Sequence, residues 1–167
     1  MKRIIVAALL SLFAATPAVA ANAKNNIGVG YGTDSPGVLG IHGEFDISSS
    51  LDNEPVSVQV FYKRASQTVT TFGISSTVTE TGMGVAGIYD LTSVFKINNP
   101  KIKPYAGLGL IFEKATISWA NTFPSTTASK NDLYYVFGAR YAFTPQVAGD
   151  VNFSQYGGLT LGVNFGF

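Results

Sequence analysis

The chain has 167 residues, of which 46% are hydrophobic and only 13% charged, and its formal net charge is +1. That length suits one domain, and the near balance of acidic and basic residues leaves no electrostatic footprint for nucleic acid. Cysteine is absent, which excludes disulfides, thiol chemistry and a small stapled extracellular scaffold.

The chain opens with a processing signal. Lys2 and Arg3 form a basic start, Ile4 to Ala15 is almost wholly apolar, and Ala18-Val19-Ala20 offers an A-x-A cleavage site. A membrane anchor would need roughly 20 apolar residues, more than this run supplies. The expectation is a cleaved secretory signal peptide over residues 1–20, followed by one domain over residues 21–167.

From there, eight stretches alternate with period two, the signature of β-strands. The first is "NIGVGYG", with Ile27, Val29 and Tyr31 on one face. The second, "VLGIHGEFDIS", sets Leu39, Ile41, Phe45 and Ile47 against Gly40, His42, Glu44 and Asp46. "VSVQVFYK" and "GMGVAGIYDL" follow, placing Lys63 and Asp90 opposite the apolar residues. "PYAGLGLIFE" and "DLYYVFGARYAF" do the same with Glu113 and Arg140, and "VAGDVNFS" with Asp150. The last stretch, "GGLTLGVNFGF", alternates Leu159, Leu161, Val163, Phe165 and Phe167 with small or polar residues to the C-terminus.

Periodicity alone leaves open which face is inside. In a soluble sandwich the apolar face is core; in a membrane barrel it meets lipid and the charges point inward. Three features select the barrel. The strand number is even, and the runs of about 9–11 residues suit a tilted transmembrane strand. Short connections ("SSLDNE", "KINNPK", "TPQ") alternate with long Thr/Ser-rich ones, "RASQTVTTFGISSTVTETG" and "ISWANTFPSTTASKN". Aromatic residues gather near strand ends on the apolar face, as interfacial girdles do. Phe45, Tyr89, Tyr141, Phe143, Phe165 and Phe167 fall at one end, and Tyr31, Tyr62, Phe112 and Phe153 nearer the other. The expected fold is all-β: an eight-stranded antiparallel up-and-down transmembrane β-barrel in the outer membrane of a Gram-negative bacterium.

The terminal strand resembles the C-terminal signal of bacterial outer-membrane proteins, an alternating apolar strand ending in phenylalanine. The resemblance implies that barrel-assembly machinery recognises Leu159, Leu161, Val163, Phe165 and Phe167 during biogenesis. "GIYDL", a turn and "KPYAGLGL" resemble the strand-four to strand-five hairpin of the opacity-protein, OmpX and OmpA-barrel group, which includes neisserial surface protein A. "ARYAFTP" followed by an Asp-containing strand is similar to that group's sixth and seventh strands, and "IGVGYGTDSPGVLG" resembles the YfaZ-like family. The first and fourth outer loops, "TDSP" and "QYGG", are far shorter than the adhesive loops of opacity proteins.

Several motifs carry competing readings. "GVGYG" and "GMGVAG" lack the following helix that a phosphate-binding loop requires, so their glycines read as small lumen residues. These give room to Phe61, Ile88, Tyr105, Ile111, Tyr134 and Val136 from the middle strands. His42 with Glu44 invites comparison with a hydrolytic triad, and lipid A deacylases are eight-stranded barrels. Those enzymes carry a His-x-Ser pair at the lipid-exposed rim, whereas His42 is followed by Gly43 and Glu44 and points inward. His42, Glu44 and Asp46 also alternate as metal ligands could, but the reading adopted is a hydrogen-bonded lumen cluster with no cofactor or metal.

Charges in a narrow lumen need partners. Arg140 is the one inward cation this reading places near the periplasmic end, with Glu44, Asp46, Asp90 and Asp150 at similar heights and Lys63 and Glu113 higher. The expectation is a salt-bridged plug. Trp119 and Phe123 anchor strand five at the outer interface or present a contact surface. The functional expectation is a monomeric, non-enzymatic outer-membrane protein serving envelope integrity or surface interaction. Its partners are outer-membrane lipid, including lipopolysaccharide, and an unidentified extracellular molecule; nucleic acid is not one. The alternatives are a lipid A deacylase-like enzyme and a narrow channel, the latter disfavoured because eight strands enclose a space that side chains roughly fill.

Overall fold

Antiparallel neighbours joined by tight turns pair in chain order, and eight such strands close on themselves. The structure, a computed structural model, describes residues 25–71, 74–119 and 124–167; the expected signal peptide and Phe123 lie outside the described residues. The strands are β1 (Asn26–Gly32), β2 (Val38–Asp46), β3 (Val56–Thr71), β4 (Ile74–Asp90), β5 (Ile102–Trp119), β6 (Thr126–Ala142), β7 (Val147–Ser154) and β8 (Gly158–Gly166). Each pairs antiparallel with its neighbour, and β8 returns to β1, giving a closed barrel in the order β1 to β8. Phe165 pairs with Ile27 and Val163 with Val29, and the Phe167 amide donates to Asn25 O at 3.0 Å, so the seam is bonded to its last residue.

One expectation is corrected. The Thr/Ser-rich stretches are expected as long loops, but their described residues are strand apart from Pro124 and Ser125. β3, β4, β5 and β6 run 16, 17, 18 and 17 residues, while β1, β2, β7 and β8 run 7, 9, 8 and 9. A spanning strand needs about 9–11 residues. The middle four therefore rise as one sheet roughly 20–25 Å beyond the barrel rim. The cause is local: threonine is β-branched and favours extended backbone, and its hydroxyls pair across strands. Ser66–Thr79, Thr68–Thr77, Thr70–Ser75 and Thr116–Thr127 sit at 3.2, 2.9, 2.8 and 3.3 Å.

The outward residues of every strand form a continuous exposed apolar band, from Ile27 and Val29 through Leu108 and Leu110 to Leu161 and Val163. The buried core lies inside the barrel and consists of Phe61, Ala86, Ile88, Tyr105, Ile111, Tyr134 and Val136, with Tyr156 packed on it. The register shows how so small a lumen holds them. Phe61 and Ile111 both face Gly84, Ile88 faces Gly107, Tyr105 faces Gly138, and Tyr134 faces Gly109. Phe61, Ile88 and Ile111 occupy the space that a Cβ would take at Gly84, Gly107 and Gly82.

This interlock makes Gly84 a sensitive position. A Cβ there would overlap the Phe61 ring and Leu110 O, whereas at outward Gly87 the nearest atom, Leu108 O, is 4.0 Å away. Gly84→Val is expected to lower stability by about 1–3 kcal/mol, the usual cost of overpacking, and Gly87→Ala to leave the interior unchanged. Gel mobility of unheated against heated protein over a urea series measures both; equal midpoints would contradict the interlock.

Candidate functional site

The polar interior contains two separate groups. The lower group centres on Arg140, on β6 opposite Asp150 of β7. Its guanidinium donates from both terminal nitrogens to Glu44 of β2, one bond being 3.0 Å to Oε1 and the other reaching Oε2. Arg140 Nε lies 3.9 Å from Asp150 Oδ2, and the guanidinium carbon stands 4.4 Å from the centre of the Tyr105 ring. Tyr105 Oη donates to Asp150 Oδ1 at 2.9 Å, Asn164 Nδ2 donates to Oδ2 at 3.4 Å, and Ser57 Oγ donates to Glu44 Oε1 at 2.7 Å. Side chains from β2, β3, β5, β6, β7 and β8 therefore meet across the barrel. A two-pronged guanidinium–carboxylate pair fixes orientation as well as charge.

The upper group is built on Lys63, which faces Gly40 on one side and Gly82 on the other. Its ammonium donates to Tyr134 Oη at 3.2 Å, Ser154 Oγ at 2.8 Å and Tyr156 O at 2.6 Å, and lies 5.0 Å from the centre of the Tyr134 ring. All three acceptors are neutral. Lys63 thus ties the β7–β8 turn to the barrel wall. That turn is closed by Gly157 and Gly158, whose φ values of +123° and +59° suit glycine. The Gly157 amide also donates to Asp34 of the β1–β2 turn at 3.0 Å.

The eight lumen charges expected from sequence do not form one network. Arg140, Glu44 and Asp150 meet. Asp46 and Asp90 sit at the lower rim, where each accepts an amide bond in its turn, from Ser48 at 2.8 Å and Thr92 at 2.7 Å. Glu113 pairs with Lys130 at 3.1 Å, near the upper end. His42 faces Gly28 on β1, and its Nε2 is buried without a hydrogen-bond partner among the described residues. No group of His, Cys, Asp and Glu among the described residues is arranged to hold a metal ion.

A second correction concerns Lys103. It pairs with Arg140 in register and lines a cavity of about 360 Å³, open at the lower rim, together with Glu44, Asp46, Asp90 and Arg140. Arg140 is therefore not the sole inward cation at that end. The signal was available: Lys103 has the parity of Tyr105 and Glu113. The alternating run "PYAGLGLIFE" begins only at Pro104, one residue past it, whereas β5 begins at Ile102. Trp119 is also displaced from its expected place. It ends β5 opposite Ser76, seven residues beyond girdle Phe112, so about 23 Å along the strand, and is no interfacial anchor. Leu159, Leu161, Val163 and Phe167 are exposed on the outer face, as is the girdle set of Phe45, Tyr141, Phe143, Tyr31, Tyr62, Phe112 and Phe153; Phe165 is half-buried.

A closed eight-stranded barrel with a continuous apolar exterior and buried charges in its interior has the character of a transmembrane β-barrel. The family described as the outer membrane protein beta-barrel domain matches residues 5–165, and the chain belongs to it. Among solved structures it is similar to Ail of Yersinia pestis in complex with the heparin analogue sucrose octasulfate. The TM-score is 0.59 at 16% identity, over 86% of this chain and 97% of that one. Neisserial surface protein A aligns at TM-score 0.58 and 18% identity, over 86% and 94%. The N-terminal barrel of Pseudomonas aeruginosa OprF aligns at 0.55 and 16%, over 86% and 96%. No curated protein matches the chain.

The lower group yields a stability prediction. Arg140→Ala leaves Glu44 and Asp150 buried without their cation and is expected to cost about 3–5 kcal/mol. The double change Arg140→Met with Glu44→Met removes both charges and is expected to cost clearly less. Urea unfolding in lipid vesicles, followed by tryptophan fluorescence or gel mobility, gives both numbers. A double variant at least as unstable as Arg140→Ala would show that the pair's charge balance is not what matters.

Proposed function

We propose that this outer-membrane barrel is non-enzymatic, that its lumen is plugged by side chains, and that it works at the cell surface through the sheet formed by the upper halves of β3 to β6. The observation that carries this reading is the length of those strands. Continuous pairing well beyond the membrane requirement builds a rigid surface where a passive anchor needs only turns. The upper part of β6, Thr126 to Tyr134, pairs with β5 but has no strand on its other side among the described residues, since β7 meets β6 only from Val136 downward. Such an edge offers unpaired backbone groups to an extended partner segment. Envelope integrity is the complementary role, served by a barrel whose interior is filled.

The remaining geometry supports the absence of catalysis. His42 lies inside the wall against Gly28 rather than at a lipid-facing rim, and Glu44 is engaged by Arg140 and Ser57. The layers of Phe61, Tyr134 and Ile111 above the Arg140 group oppose conduction.

In planar bilayers the purified protein is expected to give no stable pore conductance, and incubation with lipid A to leave every acyl chain in place by mass spectrometry. A steady ohmic pore would overturn the plug. A deacylated product that disappears in His42→Ala would overturn the non-enzymatic reading. Deletion cells are expected to show altered detergent resistance or adhesion, restored by the full chain but not by one whose β3–β4 and β5–β6 hairpins are trimmed to the rim.

Export through a cleaved signal and insertion guided by the terminal strand belong to the same proposal. Removing Phe167, or changing it to Asp, is expected to reduce heat-modifiable protein in outer-membrane fractions several-fold. Unchanged levels would remove Phe167 from assembly.

A further inference from the structure

Charge on the upper sheet is sorted by face. Strand parity puts Glu80, Glu113, Lys130 and Asp132 on the inner face, where Lys130 contacts Glu113 at 3.1 Å and Asp132 at 3.2 Å. The outer face of the same region carries no carboxylate among the described residues. Its charged residues are Arg64 on β3 and Lys114 on β5, both exposed. The register aligns them in one row: Arg64 opposite Thr81, Thr81 opposite Lys114, Lys114 opposite Ser129. Only β4 separates the two cations, so their backbones are about 10 Å apart, and both long side chains can converge above Thr81.

What lies on either side of this row identifies its partner. Below it, the next outward row is Tyr62, Met83 and Phe112, with an aromatic residue under each cation, and beneath that row the exposed band runs through Val60, Val85 and Leu110. Above it the outer face is paved with hydroxyls. Ser66, Thr68, Thr70, Ser75, Thr77 and Thr79 lie in register and are bonded pairwise at 2.8–3.2 Å. The exterior is thus layered, from the membrane outward, as apolar band, aromatic belt, cation row and hydroxyl face.

We propose that this outer face of β3 to β5 is a binding surface for one phosphorylated glycolipid of the outer leaflet. Acyl chains lie on the apolar band, a headgroup phosphate sits between Arg64 and Lys114, and the sugars rest against the hydroxyls. The order of chemistries along the strand is the order along such a lipid. A guanidinium and an ammonium free of carboxylate competition are the donors a phosphate requires. The proposal rests on the reading that this end of the barrel faces outward in the outer membrane.

The full-length protein, folded in phosphatidylcholine nanodiscs containing graded amounts of bisphosphorylated lipid A, tests it by native mass spectrometry. Wild type is expected to retain one lipid A. Arg64→Gln with Lys114→Gln, or lipid A stripped of both phosphates, is expected to weaken retention by about 30-fold, the contribution of two basic residues at a membrane surface. Arg64→Lys should keep most of the binding, and Lys101→Gln, in the β4–β5 turn at the opposite end, all of it. Unheated gel mobility verifies that each variant is folded. Unchanged retention in the double variant, equal retention of dephosphorylated lipid A, or equally tight retention of phosphatidylglycerol would overturn the glycolipid surface. The orientation is tested separately in intact cells: the chain has no cysteine, so Thr77→Cys should react with an impermeant maleimide and Asn53→Cys should not. The reverse labelling would overturn the outward reading and leave a positive lipid result to be assigned to the other leaflet.

Discussion

Every backbone amide and carbonyl within lipid must find a partner in the protein, because hydrocarbon offers none. For β-strands that condition is met only by closure, and the β1–β8 seam supplies it. Asn26 to Gly32 pair with Gly166 to Thr160, and the Phe167 amide adds a last bond to Asn25. Closure with eight strands then sets the interior. The space is narrow, and Phe61 and Ile88 of the middle strands enter it where Gly84 and Gly107 leave room. Small residues on β1 and β8 are consequences of the same limit. The apolar exterior follows as well, since alternate side chains of a closed sheet have nowhere to go but lipid.

Closure also fixes the electrostatics. The inward residues of the lower barrel are desolvated by the wall, and a lone charge there would be prohibitive. Arg140 is accommodated because Glu44 and Asp150 approach from different strands and Tyr105 covers its face. Lys63 is accommodated differently, by three neutral oxygens and two rings. The two cations therefore do unlike things. Arg140 joins opposite walls of the barrel, whereas Lys63 fastens the β7–β8 turn to the rim.

Period-two alternation made the eight strands, their order and their inward parity legible, and even the core residues followed from parity and size. Extent was harder to read. Alternation of apolar with polar residues marks a strand only while one face is apolar, and above the membrane Thr and Ser on β3 to β6 replaced that contrast with hydroxyls on the outer face. Pairing was harder still. Parity placed Glu113 with the other lumen charges, but which cation it meets depends on the β5–β6 register, which brings Lys130 opposite it. Asp46 and Asp90 have lumen parity too, yet each lies beside a turn and accepts a bond from one of its amides. Lys103 needed only one more residue of strand five to be seen.

The middle strands keep one register through two solvents, and their side chains change roles at the boundary. Along β4 the outward residues pass from Tyr89, Val85 and Met83 to Thr81, Thr79, Thr77 and Ser75, while the inward ones pass from Ile88 and Ala86 to Glu80, Val78, Ser76 and Ile74. In lipid an outward hydroxyl would lack partners; in water it hydrogen-bonds across the strand and keeps the sheet soluble. Inside the barrel large inward residues are constrained by opposing walls. Above the rim that restriction disappears, and Ile74, Ile117 and Trp119 can share the inner face with charged groups. Rigidity in the protruding part cannot come from closure, because β1, β2, β7 and β8 have ended. It comes instead from cross-strand hydroxyl and branched pairs and from continuity with a barrel that cannot open. A surface so held presents Arg64 and Lys114 in fixed register at the level where lipid gives way to water, which a flexible loop of the same composition could not do.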